Sequence, residues 1–443
     1  MTDSYFPRWR YVRPSSSADT VLPDERLGGW QNLAMGAQHV VAMFGSTILA
    51  PLLMGFDPNL AILMSGIGTL IFFVFVGGRV PSYLGSSFAF IGGVIAVTGY
   101  SGAGSNPNIG VALGAIIVCG LVYTLIGLVV WFMSARSGSG ADWINRLMPP
   151  VVTGAIVAVI GLNLAPTAAK GAMGGSTFDA LMALMTVLCV GGVAVYARGM
   201  VQRLLILVGL LLACVLYGIF TNGLGWGEPI DFSGINTAAW LGMPGFHTPV
   251  FQPHAMSVIV PVAIILVAEN LGHIKAVSAM TGQDLDRYLG RAFAGDGVAT
   301  MVSGAVGGTG VTTYAENIGV MAATRIYSTL VFVIAALIAI LLGFSPKFGA
   351  LIQAIPGPVL GGMSIVVFGL ITIAGARIWV VNQVDFSRNE NLIVAAVTLI
   401  LGAGNFSLSF GTFQLDGIGT ATFGAILLYA LLRPRQSKGL HSA

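Results

Sequence analysis

Charged residues are too scarce in this chain to build a water-facing surface. Only 8% of the residues are charged and 56% are hydrophobic, where a soluble domain carries about 25% charged residues. The chain is therefore read as an integral membrane protein, and soluble enzyme folds are set aside. Glycine agrees, at 61 of 443 residues, because spanning helices use it to bring backbones close together. The net charge of +3 is small and the basic residues are scattered, so no surface for nucleic acid is expected. Cys119, Cys189 and Cys214 sit in apolar runs without metal-ligand or redox spacing and read as small buried hydrophobes. The first apolar run begins near Trp30, behind a polar tail containing Pro14, Ser15, Asp19, Asp24 and Glu25. It lacks the short core and cleavage site of a signal peptide, so the first span is expected to stay in the protein.

A spanning helix needs roughly 20 apolar residues, fewer if it is broken. Fourteen candidate spans are centred near Phe44, Thr69, Gly92, Ile117, Val159, Leu188, Leu210, Leu266, Met301, Gly319, Ala335, Val366, Thr398 and Leu427. The third and tenth are short and interrupted by glycine and polar residues. With both termini inside, 18 of the 20 Lys and Arg residues fall on the inner side; Lys170 and Lys347 are the exceptions. The positive-inside rule expects such a bias. Dropping either short span would flip every later loop and spoil the separation. The segment 222–253 has no Lys or Arg and splits the chain into seven spans plus seven. An odd number per half gives the halves opposite orientation, the condition for an inverted repeat. Matching places carry weak similarity. The third span opens with Pro81-Ser82-Tyr83-Leu84-Gly85-Ser86-Ser87-Phe88 and the tenth with Gly310-Val311-Thr312-Thr313-Tyr314-Ala315-Glu316-Asn317. Both are β-prone, hydroxyl-rich stretches leading into a short apolar helix. The expected fold is an all-α polytopic membrane protein: 14 transmembrane segments in two inverted repeats of seven, with broken third and tenth helices carrying short β-strands.

A charge at the bilayer centre costs roughly 2.5 to 3.5 kcal/mol on insertion scales. Most acids lie in loops or near span ends; Glu269 and Glu316 are read as the exceptions, and His39 and His273 also lie within spans. Glu269 and His273 are four apart and share a helix face. A lone buried histidine is usually a satisfied core residue, but a Glu and His together in an apolar span favour function. Lys275 is rotated off that face and reads as snorkelling toward the inner side. Glu316 begins the broken tenth span, where unpaired N–H groups and the helix dipole attract oxygen atoms. The bland reading, a carboxylate capping its own helix, is less favoured because Ser would cap at lower cost. Ser87 and Phe88 hold the matching place in the third span, so two half-helix ends would face each other near the midplane, as in a transporter site. Two carboxylates, backbone N–H groups and His273, without surplus Arg or Lys, suit a small neutral planar solute with alternating N–H and C=O groups, such as uracil. A dianion such as sulfate would be repelled.

At these residues the chain resembles the nucleobase–ascorbate transporter family over nearly its whole length. Gln38-His39 matches the family's Gln-His pair, and the run from Ala315 to Arg325 matches its signature of an acidic or amide residue, Asn, Gly and Thr. Glu269-x3-His273, Glu316 and Ser86-Ser87-Phe88-Ala89-Phe90 are similar to the uracil permease branch. Ala315 stands where that branch has Gly, and Ser46 where it has Ala, so uracil and thymine both stay open as substrates. The resemblance implies a core domain (29–137 and 254–345) and a gate domain (141–222 and 349–432), beside an N-terminal tail (1–28), an outer loop (223–253) and a C-terminal tail (433–443). It implies a base bound between the domains, homodimers joined through the gate, elevator-like motion and a bacterial inner-membrane location with both termini cytoplasmic.

The expected activity is proton-coupled uptake of uracil or a close pyrimidine, with no cofactor and no metal. The expected site is Glu269 and Glu316 accepting ring N–H groups, and N–H groups near Ser87, Phe88, Tyr314 and Ala315 meeting a base carbonyl. His273 would orient the base or Glu269. Gln38, His39, Asn317 and Ser46 would support from behind. A buried carboxylate gains from taking a proton, which makes Glu269, with His273 as relay, the expected coupling pair. A purine or xanthine permease of the same fold, an anion transporter of the same seven-plus-seven plan, and sodium coupling remain open. A membrane enzyme is not expected, since His-Glu-x-x-His, Gly-x-Ser-x-Gly and Asp-rich clusters are missing from the sequence.

Overall fold

The computed structural model describes residues 4–13, 19–100, 104–137, 142–410 and 413–433. Pro14, Ser15, Arg435 and Lys438 of the expected tails lie outside those residues. The described chain is mostly helical, and each of the fourteen expected centres falls inside a helix. Among the described residues eight helices are long and apolar enough to cross a membrane, or nine if Thr329–Gly343 and Pro346–Gln353, bent by 82° at their junction, form one span.

The elements that build the site are α1 (Gly29–Met54), α2 (Pro58–Phe75), β1 (Leu84–Ser86), α3 (Phe90–Thr98), α4 (Ile109–Ser137), α5 (Pro150–Asn163), α6 (Val262–Thr281), α7 (Leu289–Val306), β2 (Val311–Thr313), α8 (Ala315–Thr324), α9 (Thr329–Gly343) and α10 (Gly357–Val381). The turn from α1 to α2 shows local sequence control. Gly55 takes a left-handed φ of 73° to end α1, and the Asp57 carboxylate accepts the Asn59 N–H to cap α2, with Pro58 in its first turn.

β1 and β2 pair antiparallel, with Leu84 opposite Thr313 and Ser86 opposite Val311. A two-stranded sheet in hydrocarbon has open edges whose amide groups need partners. Hydroxyls supply them from equivalent places. Thr69 of α2 accepts the Leu84 N–H at 2.9 Å, and Thr300 of α7 accepts the Val311 N–H at 3.2 Å while donating to the Val311 carbonyl at 3.0 Å. Thr309 donates across the pair to the Ser86 hydroxyl at 2.7 Å. Little space is left around the strands: a Cβ on Gly85 would lie 2.5 Å from the Tyr314 ring.

Glycine also sets the α4–α7 crossing. A Cβ on Gly127 would lie 2.3 Å from the Ala294 nitrogen, so the two backbones are in direct contact there. Helices α1, α2, α4, α7 and α9 pack chiefly on one another, and α10 packs chiefly on α5 and on the helices Ala165–Met173 and Thr177–Tyr196. The N-terminal segment lies across the first set. Phe6 and Trp9 stack on Phe73 of α2, Trp9 Nε1–H donates to Thr329 of α9 at 3.0 Å, and Val21 bridges to Ile326.

Candidate functional site

Because the strands are antiparallel, the helices that follow them start at opposite ends of one pair. Ser87 and Phe88 lead from β1 into α3, and Tyr314 leads from β2 into α8. Neither helix start is capped by a side chain of its N-cap residue. At α3 the Ala89, Phe90 and Ile91 N–H groups are taken by Ser87 Oγ and by the Ser87 and Phe88 carbonyls, and at α8 the Glu316 N–H meets its own carboxylate, so the helix dipoles are what chiefly favour oxygen ligands between the elements that surround them.

Glu316 is the second residue of α8 and is half-buried; its Oε1 accepts a hydrogen bond from the Ser46 hydroxyl of α1. Ala315, just before it, is exposed. Glu269 sits midway along α6, half-buried, and its Oε2 has no hydrogen-bond partner among the described residues. The two carboxylates are near enough to interact electrostatically. His273, one turn beyond Glu269, does not bond to it. Its Nδ1 lies 2.8 Å from the Thr313 hydroxyl and ties α6 to β2.

The other expected residues form the frame. Ser87 is fully buried; its N–H donates to the Gly310 carbonyl at 2.9 Å and its Oγ accepts the Ala89 N–H at 3.3 Å. The Tyr314 hydroxyl donates to the Ser86 carbonyl at 2.8 Å and accepts from Thr47 at 3.3 Å, so its polar end braces β1. Asn317 Nδ2 reaches both the ring Nδ1 and the carbonyl of His39 at 3.0 Å, joining α8 to α1, and the His39 ring packs 4.5 Å from that of Phe332. Gln38 is buried beside His39, with Nε2 unpartnered. Lys275 pairs with Asp286 at the end of α6.

Two residues were missed by the sequence reading. Phe368 of α10 faces Phe88, ring centroids 6.0 Å apart at 83°; inside an apolar helix an aromatic carries no signal that separates it from core. Asp296 adds a third acid inside the protein beside Glu269 and Glu316: it lies within α7, fully buried. It stands five residues after Arg291, where an acid reads as part of a charged span end, and only the fold shows that the two do not pair. Among the described residues no group of three or more His, Cys, Asp or Glu could hold a metal ion.

The Xan_ur_permease model, described as a permease family, matches residues 30–409. The putative pyrimidine permease RutG of Escherichia coli (strain K12) is 66% identical over 96% of this chain and 95% of its own. The uracil permease of Paenibacillus larvae is 42% identical over 91% and 94%. Among solved structures, the transmembrane domain of a cyanobacterium bicarbonate transporter, BicA, aligns with a TM-score of 0.61 at 17% identity, covering 89% of this chain and 97% of that one. That last likeness concerns the fold alone.

Proposed function

The chain belongs to the Xan_ur_permease family of multi-pass membrane permeases, and from that premise we propose that it imports uracil or a closely related pyrimidine by proton symport. The observation that carries this reading is Glu269: a carboxylate within a spanning helix with Oε2 unpartnered, beside Glu316 and the starts of α3 and α8. An unpaired buried acceptor is costly and marks a position held for a ligand. Ring N–H groups of the base go to Glu269 and Glu316, and its carbonyls to backbone N–H groups near Phe88 and Ala315. Phe88 and Phe368 cover its faces. Their present separation of 6.0 Å is too small for a parallel ring between them, so the two move apart on loading. Ser87, Tyr314, Asn317, His39, Gln38 and Ser46 hold the frame.

In this reading fourteen spans form two inverted repeats, supported by the paired roles of Thr69 and Thr300 at the sheet edges. The two helix sets are a core, holding the carboxylates, and a gate, holding Phe368. The core slides against the gate as an elevator, two chains join through their gates, and both termini face the cytoplasm of a bacterial inner membrane. The test is uptake of labelled uracil, thymine, xanthine and guanine into proteoliposomes under an imposed pH gradient without sodium. Uracil accumulation is expected, and Glu269→Gln is expected to lower it by about 100-fold or more. Xanthine as the preferred substrate, or accumulation by Glu269→Gln, would overturn the assignment.

A further inference from the structure

We propose that the segment 239–251 is an interfacial anchor, which seats one end of the α2, α4, α7 and α9 set among the phospholipid headgroups of the bilayer. Trp240 is 77% exposed and Leu241 80%, and Met243, Phe246 and Phe251 are exposed beside them. Large apolar side chains gathered on one short stretch are costly to leave in water and mark a contact surface. The stretch 232–268 holds no Asp, Glu, Lys or Arg, so no charge within it opposes entry into lipid.

The exposure is not that of a loose loop. Gly242 N–H donates to the Phe344 carbonyl at 2.9 Å, and Gly245 N–H to the Asp57 carboxylate at 3.2 Å. His247 N–H donates to the Val306 carbonyl at 3.2 Å, and Val250 N–H to the Gly110 carbonyl at 2.8 Å. Pro244 and Pro249 have no N–H to satisfy. Phe344 follows α9, Asp57 caps α2, Val306 ends α7 and Gly110 lies in the first turn of α4. These backbone donors are thus spent on the protein while the apolar side chains stand outward, which suits a surface that meets lipid.

The depth agrees. A Cβ on Gly114 would lie 2.2 Å from the Val250 carbonyl oxygen, and one on Gly110 2.8 Å from that of Thr248, so the segment lies directly on α4. Gly114 precedes Arg136, the basic residue in the last turn of α4, by 22 residues, or about 33 Å at about 1.5 Å per residue. The hydrocarbon core is about 30 Å thick. With Arg136 at the inner headgroups, as the distribution of basic residues has it, the segment crosses α4 at the outer edge of the hydrocarbon. It also continues a lipid-facing stripe: Leu337 and Leu341 are exposed on α9, and Leu341 stands one turn before Phe344, which holds Gly242.

Lys347 completes the anchor. Its N–H donates to the Ala239 carbonyl at 2.9 Å, and its ammonium lies 4.8 Å from the centroid of the Trp240 ring. Among the described residues it has no carboxylate partner, which leaves it free for lipid phosphate. Trp and Lys together are what holds a protein at the boundary between membrane and water. The preceding stretch is tied elsewhere. Asn222 bonds to both backbone groups of Ile230, and the Tyr217 hydroxyl donates to the Glu228 carbonyl, so 222–230 stays with the helix Leu205–Gly218. The bilayer boundary therefore sets the depth of the α2, α4, α7 and α9 set in particular.

The test places a polarity-sensitive dye on Leu241→Cys, and on Glu228→Cys for comparison, in full-length protein whose Cys119, Cys189 and Cys214 are replaced. The protein is reconstituted in phosphatidylcholine–phosphatidylglycerol vesicles. Quenching by iodide on both sides of the membrane is compared with quenching by lipids that carry a nitroxide near the headgroup or deep in the acyl chain. At position 241 iodide is expected to quench about threefold less than at position 228, and the shallow nitroxide about twofold more than the deep one. Iodide quenching equal to that at 228 would place the segment in water and overturn the proposal. Protection from iodide and from both nitroxides would show a second copy or another protein covering it, and stronger quenching by the deep nitroxide would place it in the hydrocarbon; each overturns it too. Should Leu241→Cys not fold, the same readings from Met243→Cys decide.

Discussion

Glu316 and Glu269 occupy different electrostatic situations although both are half-buried. Glu316 has a hydroxyl donor in Ser46, while Glu269 leaves Oε2 open. A hydrogen bond to a charged group contributes roughly 1.5–3 kcal/mol. Ser46→Ala removes that donor and leaves Glu316 less fixed, so KM for uracil is expected to rise about tenfold with kcat nearly unchanged. Transport kinetics at saturating gradient check the split; a fall in kcat at constant KM would assign Ser46 to the translocation step instead. What the sequence made legible at this scale follows from cost. Glu269 and His273 were found because a charge in an apolar run is expensive. Phe368 and the hydroxyls of Thr69 and Thr300 were invisible because aromatic and Thr residues are cheap in spanning helices, and only the fold shows what they face.

The N-terminal segment is the element whose structure least resembles its sequence. Read as a polar tail, it is a clasp on the C-terminal end of α2 and the N-terminal end of α9. Arg10 pairs with Glu25, Val12 N–H donates to the Arg26 carbonyl and Val21 N–H to the Arg325 carbonyl, both at 2.9 Å. Its anchoring is aromatic and backbone-mediated, so no apolar run announces it. Trp9→Ala loses stacking on Phe73 and the bond to Thr329, and is expected to lower the stability of the detergent-solubilised protein by about 1–3 kcal/mol, read as a drop in Tm. The clasp is also acid-sensitive. Burial pushes the Glu25 carboxyl up, but the Leu22 N–H and Arg10 together outweigh this and hold it below its ordinary range. Its contribution is therefore full above the unfolded carboxyl value and is lost as pH falls through the lower folded value. Hydrogen exchange at the Val12 and Val21 amides, corrected for intrinsic rate, is expected to rise at acid pH in wild type. In Glu25→Gln it is expected to be raised already at neutral pH and to lack the acid step. An acid step that persists in the variant would assign it to another group.

For the whole molecule the question is how the site meets water. A cavity of about 1270 Å³ lies between the two helix sets, lined by Leu52, Ile95 and Tyr100 on one side and by Lys170, Gly357, Leu360 and Ser364 on the other. Ser364 is one helical turn from Phe368, which meets Phe88. The cavity thus ends near the aromatic pair that covers the site, and separating the two helix sets would join them. Helix α10 runs from this cavity to Arg377, 20 residues beyond Gly357, which at about 1.5 Å per residue is about 30 Å, the thickness of the hydrocarbon core. If Lys170 marks the outer face and Arg377 the inner, cysteines at the two ends must be labelled from opposite sides. A Cβ on Gly357 would meet nothing within 4 Å, and Arg377 is exposed, so Gly357→Cys and Arg377→Cys are both expected to fold. In intact cells a membrane-impermeant maleimide is expected to label Gly357→Cys, and Arg377→Cys only after permeabilisation, in a background where Cys119, Cys189 and Cys214 are replaced. The reverse pattern would invert the orientation deduced from the basic residues. Equal labelling of both from outside would show that α10 does not cross.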